Sequence, residues 1–215
     1  MGKLALGCLG VLLIVVVICA ISFAGTYNKL VTLSQDVDKS WSEVENQYQR
    51  RADLIPNLVQ TVQGAANFEK ETLTAVTEAR ASVGRATVTP GKAPTDPETL
   101  ARYQAAQDQL GSALQRLLVV SERYPELRAN QNFRDLQAQL EGTENRITVA
   151  RGRFNDSAQQ YNTVLKRFPT NFVGGMFGFK ERPYFKATTP GAEQAPKVNF
   201  NFGNAAPTAA PAPAK

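Results

Sequence analysis

Apolar residues along most of the chain recur every three or four positions, which places them on one face of an α-helix. Three such stripes can be followed, the first over residues 27–84 with an interruption near residue 56, the others over 100–124 and 133–168. The steps of three and four alternate with a mean near 3.5, the spacing of left-handed, nearly antiparallel helix packing. The pattern predicts an all-α fold, in which residues 25–168 form an elongated antiparallel bundle of three to four long helices.

A proline interrupts the first of these stripes. The ring of Pro56 clashes with the carbonyl four residues earlier, and proline biases the preceding Ile55 away from helical geometry. Asp53 is a suitable N-cap for a helix that starts anew. The sequence therefore predicts a break at about 52–56 and leaves open whether it is a hairpin or a kink.

Other boundaries carry clearer signals. Two glycines and two prolines within twelve residues predict a loop at about 84–95. Asp96 followed by Pro97 is a strong helix start, and Asn130 can cap the last helix. That helix, over 131–168, would be roughly 57 Å long.

The N-terminal segment has a different character from the stripes. Residues 4–24 contain no charged side chain and would form a helix of roughly 31 Å, which matches a hydrocarbon core of about 30 Å. Residues 1–24 are therefore predicted to be a single-pass transmembrane anchor in the cell (inner) membrane. The alternative is a secretory signal peptide cleaved after Ala24, but the apolar run exceeds the usual length. Lys3 before the span is balanced by Lys29 and Lys39 after it, and the short positive head favours a bundle outside the cytoplasm.

The helical pattern stops at Pro169. Residues 169–204 combine glycines with scattered aromatic residues and are predicted to form an irregular arm, and the Ala/Pro-rich residues 205–215 a disordered tail. The arm is expected to lie along the bundle with its rings as anchors. Alternatively, Phe177 and Phe179, with Lys180 and Arg182 nearby, contact lipid or a neighbouring subunit.

Composition argues against most catalytic chemistry. The 215 residues include no histidine, and both cysteines, Cys8 and Cys19, lie in the apolar N-terminal segment. The commonest general base and zinc ligand are thus missing, and no thiolate site is expected in the bundle. The net charge of +5 comes from basic residues interspersed with acidic ones, which does not indicate a nucleic-acid binder. We expect no enzyme activity, no metal, no cofactor and no nucleic-acid partner.

Several sequence blocks resemble the LemA family of bacterial single-pass membrane proteins. The most specific block is RRADLIPNLV, residues 50–59, and the likeness covers about residues 1–200. The resemblance implies a membrane-anchored helical bundle and no established catalytic activity. Further residues that carry it are Tyr27, Asn28, Trp41, Tyr124, Pro125, Asn130, Glu144, Arg151, Asn155, Tyr161 and Asn162.

The RRADLIPNLV block also has a physical interpretation. Cationic Arg50 and Arg51 precede the predicted break, where they could satisfy free helix carbonyls, while Asp53 and Asn57 hold the other side of Pro56. These five residues are therefore read as a helix-break corner. The alternative is that the two arginines form a docking patch for an acidic partner or anionic lipid.

Long helices, a membrane anchor and the lack of a reactive motif favour a non-enzymatic scaffold or organiser of proteins at the bacterial membrane. The expected partners are the lipid bilayer, an unidentified membrane or envelope protein, and further copies of the chain. The alternative is a sensory or signalling accessory protein that transmits through a partner.

Overall fold

The first helix, α1, extends from Gly2 to Gln63 without interruption. The computed structural model describes residues 2–64, 69–86 and 88–186 of the chain, and within these ranges all regular secondary structure is helical. At 1.5 Å per residue, α1 is roughly 93 Å long. The candidate membrane segment and the first stripe of the bundle therefore belong to one helix.

The predicted break at 52–56 is wrong, because α1 continues through Pro56. An internal proline costs a helix about 3 kcal/mol through its missing N–H and its steric clash. Pro56 is exposed, whereas Ile55, Leu58 and Val62 around it are at most 2% exposed. Burying each of these side chains contributes about 1.5–3 kcal/mol, which is enough to keep the helix in place.

Five further helices follow α1 in the described ranges. Two of medium length form a pair, α2 at Lys70–Arg85 and α3 at Pro97–Ser121. The short helix α4, Pro125–Ala129, leads into α5, Gln131–Lys166, which has 36 residues and runs antiparallel beside α1. The last helix, α6, spans Thr170–Phe177.

The helix starts follow the predicted capping chemistry. The Asp96 carboxylate accepts a hydrogen bond of 2.8 Å from the Thr99 amide, with Pro97 in the first helical position of α3. The Asn130 side chain accepts hydrogen bonds from the first amides of α5. Both caps are confirmed, since capping depends only on residues close in sequence.

The residue stripes form two apolar clusters, one after the other along α1. The cluster nearer the candidate membrane segment centres on Trp41, which contacts the rings of Tyr103, Phe154 and Phe185. The distal cluster joins α1 from Ile55 onwards to α2, α3 and the first half of α5. Residues Met1–Phe185 form one compact unit.

The arm differs in part from its prediction. It was expected to be irregular from residue 169, but residues 170–177 form α6, which packs on α1 and α5. Beyond Gly178, with its left-handed φ of 73°, residues 179–186 run without regular structure. The rest of the predicted arm and the Ala/Pro tail lie outside the described residues.

Candidate functional site

The residues predicted to form a helix-break corner do not come together. Arg50, Asp53, Pro56 and Asn57 lie on the exposed side of the continuous α1, and Asp53 accepts a hydrogen bond from Gln49 one turn away. Arg51 points the opposite way and is only 2% exposed. It therefore neither caps a helix end nor offers a docking patch, and both parts of that interpretation are corrected for this residue.

Arg51 instead joins three helices inside the bundle. Its guanidinium donates to the Glu144 carboxylate on α5 at 2.8 Å, and to the backbone and side-chain oxygens of Gln107 on α3 at 3.0 and 2.5 Å. The same group lies over the ring of Tyr48, 5.4 Å from its centre. A buried cation needs such partners, because desolvating it without them is costly.

A second arginine, Arg151 of α5, lies close to the same tyrosine. It forms an ion pair of 2.8 Å with Asp108 on α3 and donates to the Tyr48 hydroxyl at 2.6 Å. Its guanidinium also lies over the rings of Tyr48 and Phe185. We call Arg51 and Arg151, with their shared neighbour Tyr48, the arginine layer.

The arginine layer links α1, α3 and α5 through hydrogen bonds, ion pairs and ring contacts. Burial raises the pKa of Tyr48 to about 12, although Arg151 and Arg51 oppose the shift. Tyr48 is protonated at neutral pH, as its ordinary pKa of 10.0 already requires, and its hydroxyl accepts the hydrogen bond from Arg151. Among the residues that the structure describes, no group of three or more Cys, Asp or Glu side chains is arranged to hold a metal ion.

Two asparagines of α5 hold the arm by its backbone. Asn162 donates to the carbonyl of Arg182 and accepts from its amide, both at 2.8 Å. Asn155 makes the same pair of bonds with Phe185, at 3.0 and 2.9 Å. Each side-chain amide thus pairs with the arm as a neighbouring β-strand would. These bonds satisfy backbone N–H and C=O groups of the arm that have no partner within a helix.

Arg182 is a structural residue rather than a lipid contact. It is 6% exposed, and its guanidinium donates to the Ala93 carbonyl at 2.8 Å and to the Ser34 hydroxyl at 3.0 Å, with Asp38 at 3.5 Å. It thereby joins the arm to α1 and to the loop between α2 and α3. Its predicted exposure to lipid is wrong, whereas Lys180 of the same group is exposed.

The other two predicted contact residues, Phe177 and Phe179, lie where the apolar segment of α1 ends. The Phe177 ring centre is 4.8 Å from that of Tyr27 and 6.0 Å from that of Phe23, and Phe179 lies 5.8 Å from Tyr27. We call these four residues the aromatic collar. It is only partly covered by the protein, since Phe177 is 52% and Tyr27 36% exposed.

Next to the collar, α1 presents apolar side chains on all sides. The large residues from Leu9 to Ile21 that the structure describes are 47–68% exposed, whereas Leu30, Val37 and Trp41 are fully buried. The chain thus has one described helix that is long and apolar enough to cross a membrane.

This combination of an apolar leading segment with a helical bundle agrees with the comparison to known proteins. A model of the LemA family matches residues 40–200. The chain belongs to the LemA family. The matched region contains the arginine layer, both asparagines that hold the arm, and most of α1 beyond the apolar segment.

This LemA-family chain is similar, at moderate sequence identity, to several named proteins. Magnetosome protein MamQ 2 of Paramagnetospirillum magneticum is 27% identical over 88% of the chain and 76% of its own length. Magnetosome protein MamQ of Magnetospirillum gryphiswaldense is 28% identical over 74% of the chain and 64% of its own length. Protein LemA of Metamycoplasma hominis is 23% identical over 77% of the chain and 71% of its own length.

Proposed function

We propose that this LemA-family protein is a membrane-anchored, non-enzymatic scaffold that organises proteins at the bacterial membrane. The observation that carries the proposal is the unbroken α1, which joins an outward-facing apolar segment to the core of the bundle. A partner bound to the bundle would be held at a fixed height above the lipid. The relatives are a magnetosome protein and a LemA protein, neither of them named as an enzyme, which supports the same proposal.

Retention of the apolar segment is part of this proposal. Phe23 packs on Phe177 of α6. Cleavage after Ala24 would therefore remove one of the two residues that α1 contributes to the aromatic collar. We expect the mature protein to keep its apolar segment and to float with lipid vesicles after alkaline washing. N-terminal sequencing that begins at residue 25 would contradict this.

The scaffold role is tested by size and crosslinking in native membranes. Photocrosslinkers at Val119 and Val149, which are 67% and 54% exposed, report on whatever covers the bundle. We expect discrete adducts with a partner or with further copies of the chain. A strictly monomeric protein with no adduct at either position would refute the scaffold role and leave the anchor untouched.

We also propose the inner membrane, with the bundle outside the cytoplasm. An exposed cysteine at position 92, in a background lacking Cys8 and Cys19, distinguishes the two orientations. It should react with a membrane-impermeant thiol reagent in cells whose outer membrane has been permeabilised. Labelling only after the inner membrane is opened would reverse the assignment.

A sensory accessory role is favoured by one observation. Because α1 is continuous, a rotation or shift of its apolar end reaches the arginine layer without crossing a flexible joint. Transmission of this kind needs a partner that touches the membrane segment itself. Crosslinkers placed at Ile14 and Ile18 that capture only lipid would remove this alternative.

A further inference from the structure

The outward face of α6 carries large apolar side chains that nothing in the described protein covers. Phe172 and Met176, one helical turn apart, are 67% and 57% exposed, and Phe168 just before the helix is 87% exposed. The inward face, with Thr170, Val173 and Gly174, is buried against α1 and α5.

Helix α6 presents little polar surface to water. Its sequence, TNFVGGMF, contains no charged residue, and Asn171 in its first turn is its exposed polar side chain. A helix with so small a polar face normally lies in a protein core or in a membrane. Since α6 is on the surface of the described chain, its outer face lacks the apolar surroundings that this composition predicts.

The position of α6 indicates what covers that face. Its last residue, Phe177, touches Phe23 and Tyr27, which directly follow the exposed apolar run of α1. Gly174 lies beside Leu30, about two turns farther along α1. The apolar face therefore adjoins the candidate span, and a bilayer around that span would place the face where the hydrocarbon core ends and the headgroups begin.

The charges around α6 suit the same environment. Arg167 precedes the helix, Lys180 follows it, and Lys29 lies on the adjacent part of α1, all three exposed. Cationic side chains at this depth are attracted to anionic headgroups. Aromatic rings are likewise enriched at membrane interfaces.

We infer that α6 is a second membrane contact, which inserts Phe172 and Met176 into the interfacial region of the same bilayer that holds α1. This inference rests on the proposed membrane anchoring and adds a contact at a second point. An interfacial helix of this kind buries its apolar face by about 5–10 Å. Two contacts at separate points would limit the tilt and rotation of the bundle against the membrane.

Tryptophan fluorescence in vesicles tests the inference with the full chain. Phe172→Trp and Met176→Trp are made separately and reconstituted into phosphatidylcholine–phosphatidylglycerol vesicles, with or without bromine on the acyl chains. The native Trp41 is fully buried and supplies a constant background that the unmodified protein measures. Both variants should emit at shorter wavelength than in water and be quenched most by bromine on shallow acyl carbons.

Two matched variants serve as controls. Val119→Trp replaces a residue that is 67% exposed, as Phe172 is. Val119 lines a surface groove together with Arg51, and Arg51 lies roughly 40 Å beyond Ala24 along α1, far from the candidate span. Val119→Trp should be quenched by aqueous acrylamide and not by brominated lipid. Ile14→Trp lies near the middle of the candidate span and should be quenched by deep bromines.

The outcomes separate the inference from the anchoring on which it rests. If Ile14→Trp is quenched by lipid while Phe172→Trp and Met176→Trp behave like Val119→Trp, the second contact is refuted and the anchor stands. If both α6 variants resist lipid bromine and acrylamide alike, a protein surface covers them and the inference fails. If Ile14→Trp itself escapes lipid quenching, the anchoring is wrong and the inference falls with it.

Discussion

Two ion pairs in this protein have the same length and very different surroundings, and this contrast gives a sharp test of the arginine layer. Arg151 and Asp108 lie 2.8 Å apart with side chains 14% and 23% exposed. Lys166 and Glu181 are also 2.8 Å apart, but with side chains 62% and 59% exposed. The two perturbations are Asp108→Asn and Glu181→Gln, each of which removes one negative charge and keeps the side-chain shape.

The expected magnitudes follow from burial. Asn at position 108 leaves the largely buried Arg151 without its carboxylate, and a hydrogen bond to a charged group contributes about 1.5–3 kcal/mol. For the exposed Lys166–Glu181 pair, water and salt screen the attraction, and the expected loss is much smaller. In a chain of this size 1 kcal/mol corresponds to about 2–4 °C in Tm, so Asp108→Asn should lower Tm by about 3–12 °C.

The assay is thermal unfolding of the detergent-solubilised full chain, followed by helical circular dichroism at low and high salt. Salt should reduce the small effect of Glu181→Gln further and leave that of Asp108→Asn nearly unchanged, because a buried pair is screened less. Equal losses for the two variants, or a larger loss for Glu181→Gln, would refute the view that burial makes the arginine layer the stronger connection.

Three further predictions test the arm, the buried tyrosine and α6. Asn162→Leu removes two hydrogen bonds to the arm backbone and should cost about 2 kcal/mol while making the bond after Lys180 sensitive to trypsin; a resistant arm would contradict its role in holding the arm. For Tyr48, whose ordinary pKa of 10.0 burial raises to about 12, the neutral form is favoured in the folded state. Its contribution is therefore complete below pH 10 and is lost as pH rises through 12, by about 2–3 kcal/mol. In Tyr48→Phe the fall in unfolding free energy between pH 10 and 12, measured by urea titration, should be smaller by about 2 kcal/mol, and an unchanged slope would count against the shift. Gly174→Ala places a methyl group against the buried Leu165 side chain and should destabilise by about 1–3 kcal/mol, whereas Gly175→Ala meets open space and should stabilise by about 0.5–1 kcal/mol. Urea unfolding of both variants checks the pair, and a Gly174→Ala protein as stable as Gly175→Ala would refute the close packing of α6.

Pro56 shows why a strong local signal can fail. The steric argument for a break holds for a proline in isolation, and the sequence around it offered a plausible cap in Asp53. In the folded chain Pro56 faces solvent while Ile55 and Leu58 are buried on both sides of it. Whether the helix breaks therefore depends on the packing partners of those neighbours, which come from distant parts of the chain.

The arginine layer was missed for a related reason. Arg51 stands at a stripe position, three residues after Tyr48 and four before Ile55, so its inward orientation followed from spacing alone. The polar residue within an apolar stripe was the available signal, and the predicted break obscured it. Its acceptors, Gln107 and Glu144, are 56 and 93 positions away, and no local pattern connects them.

Helical spacing, helix caps and the uncharged N-terminal run are features of residues close together in the chain. The amino-acid sequence was therefore sufficient to predict the all-α fold, the starts of α3 and α5, and a candidate membrane segment. The continuity of α1, the buried arginine pairs and the arm bound by Asn155 and Asn162 became visible only once the helices were packed. The physical reason is range: a helix is stabilised by bonds between residues four apart, whereas a buried charge or an irregular segment is stabilised by whichever distant groups the fold brings within 3 Å of it.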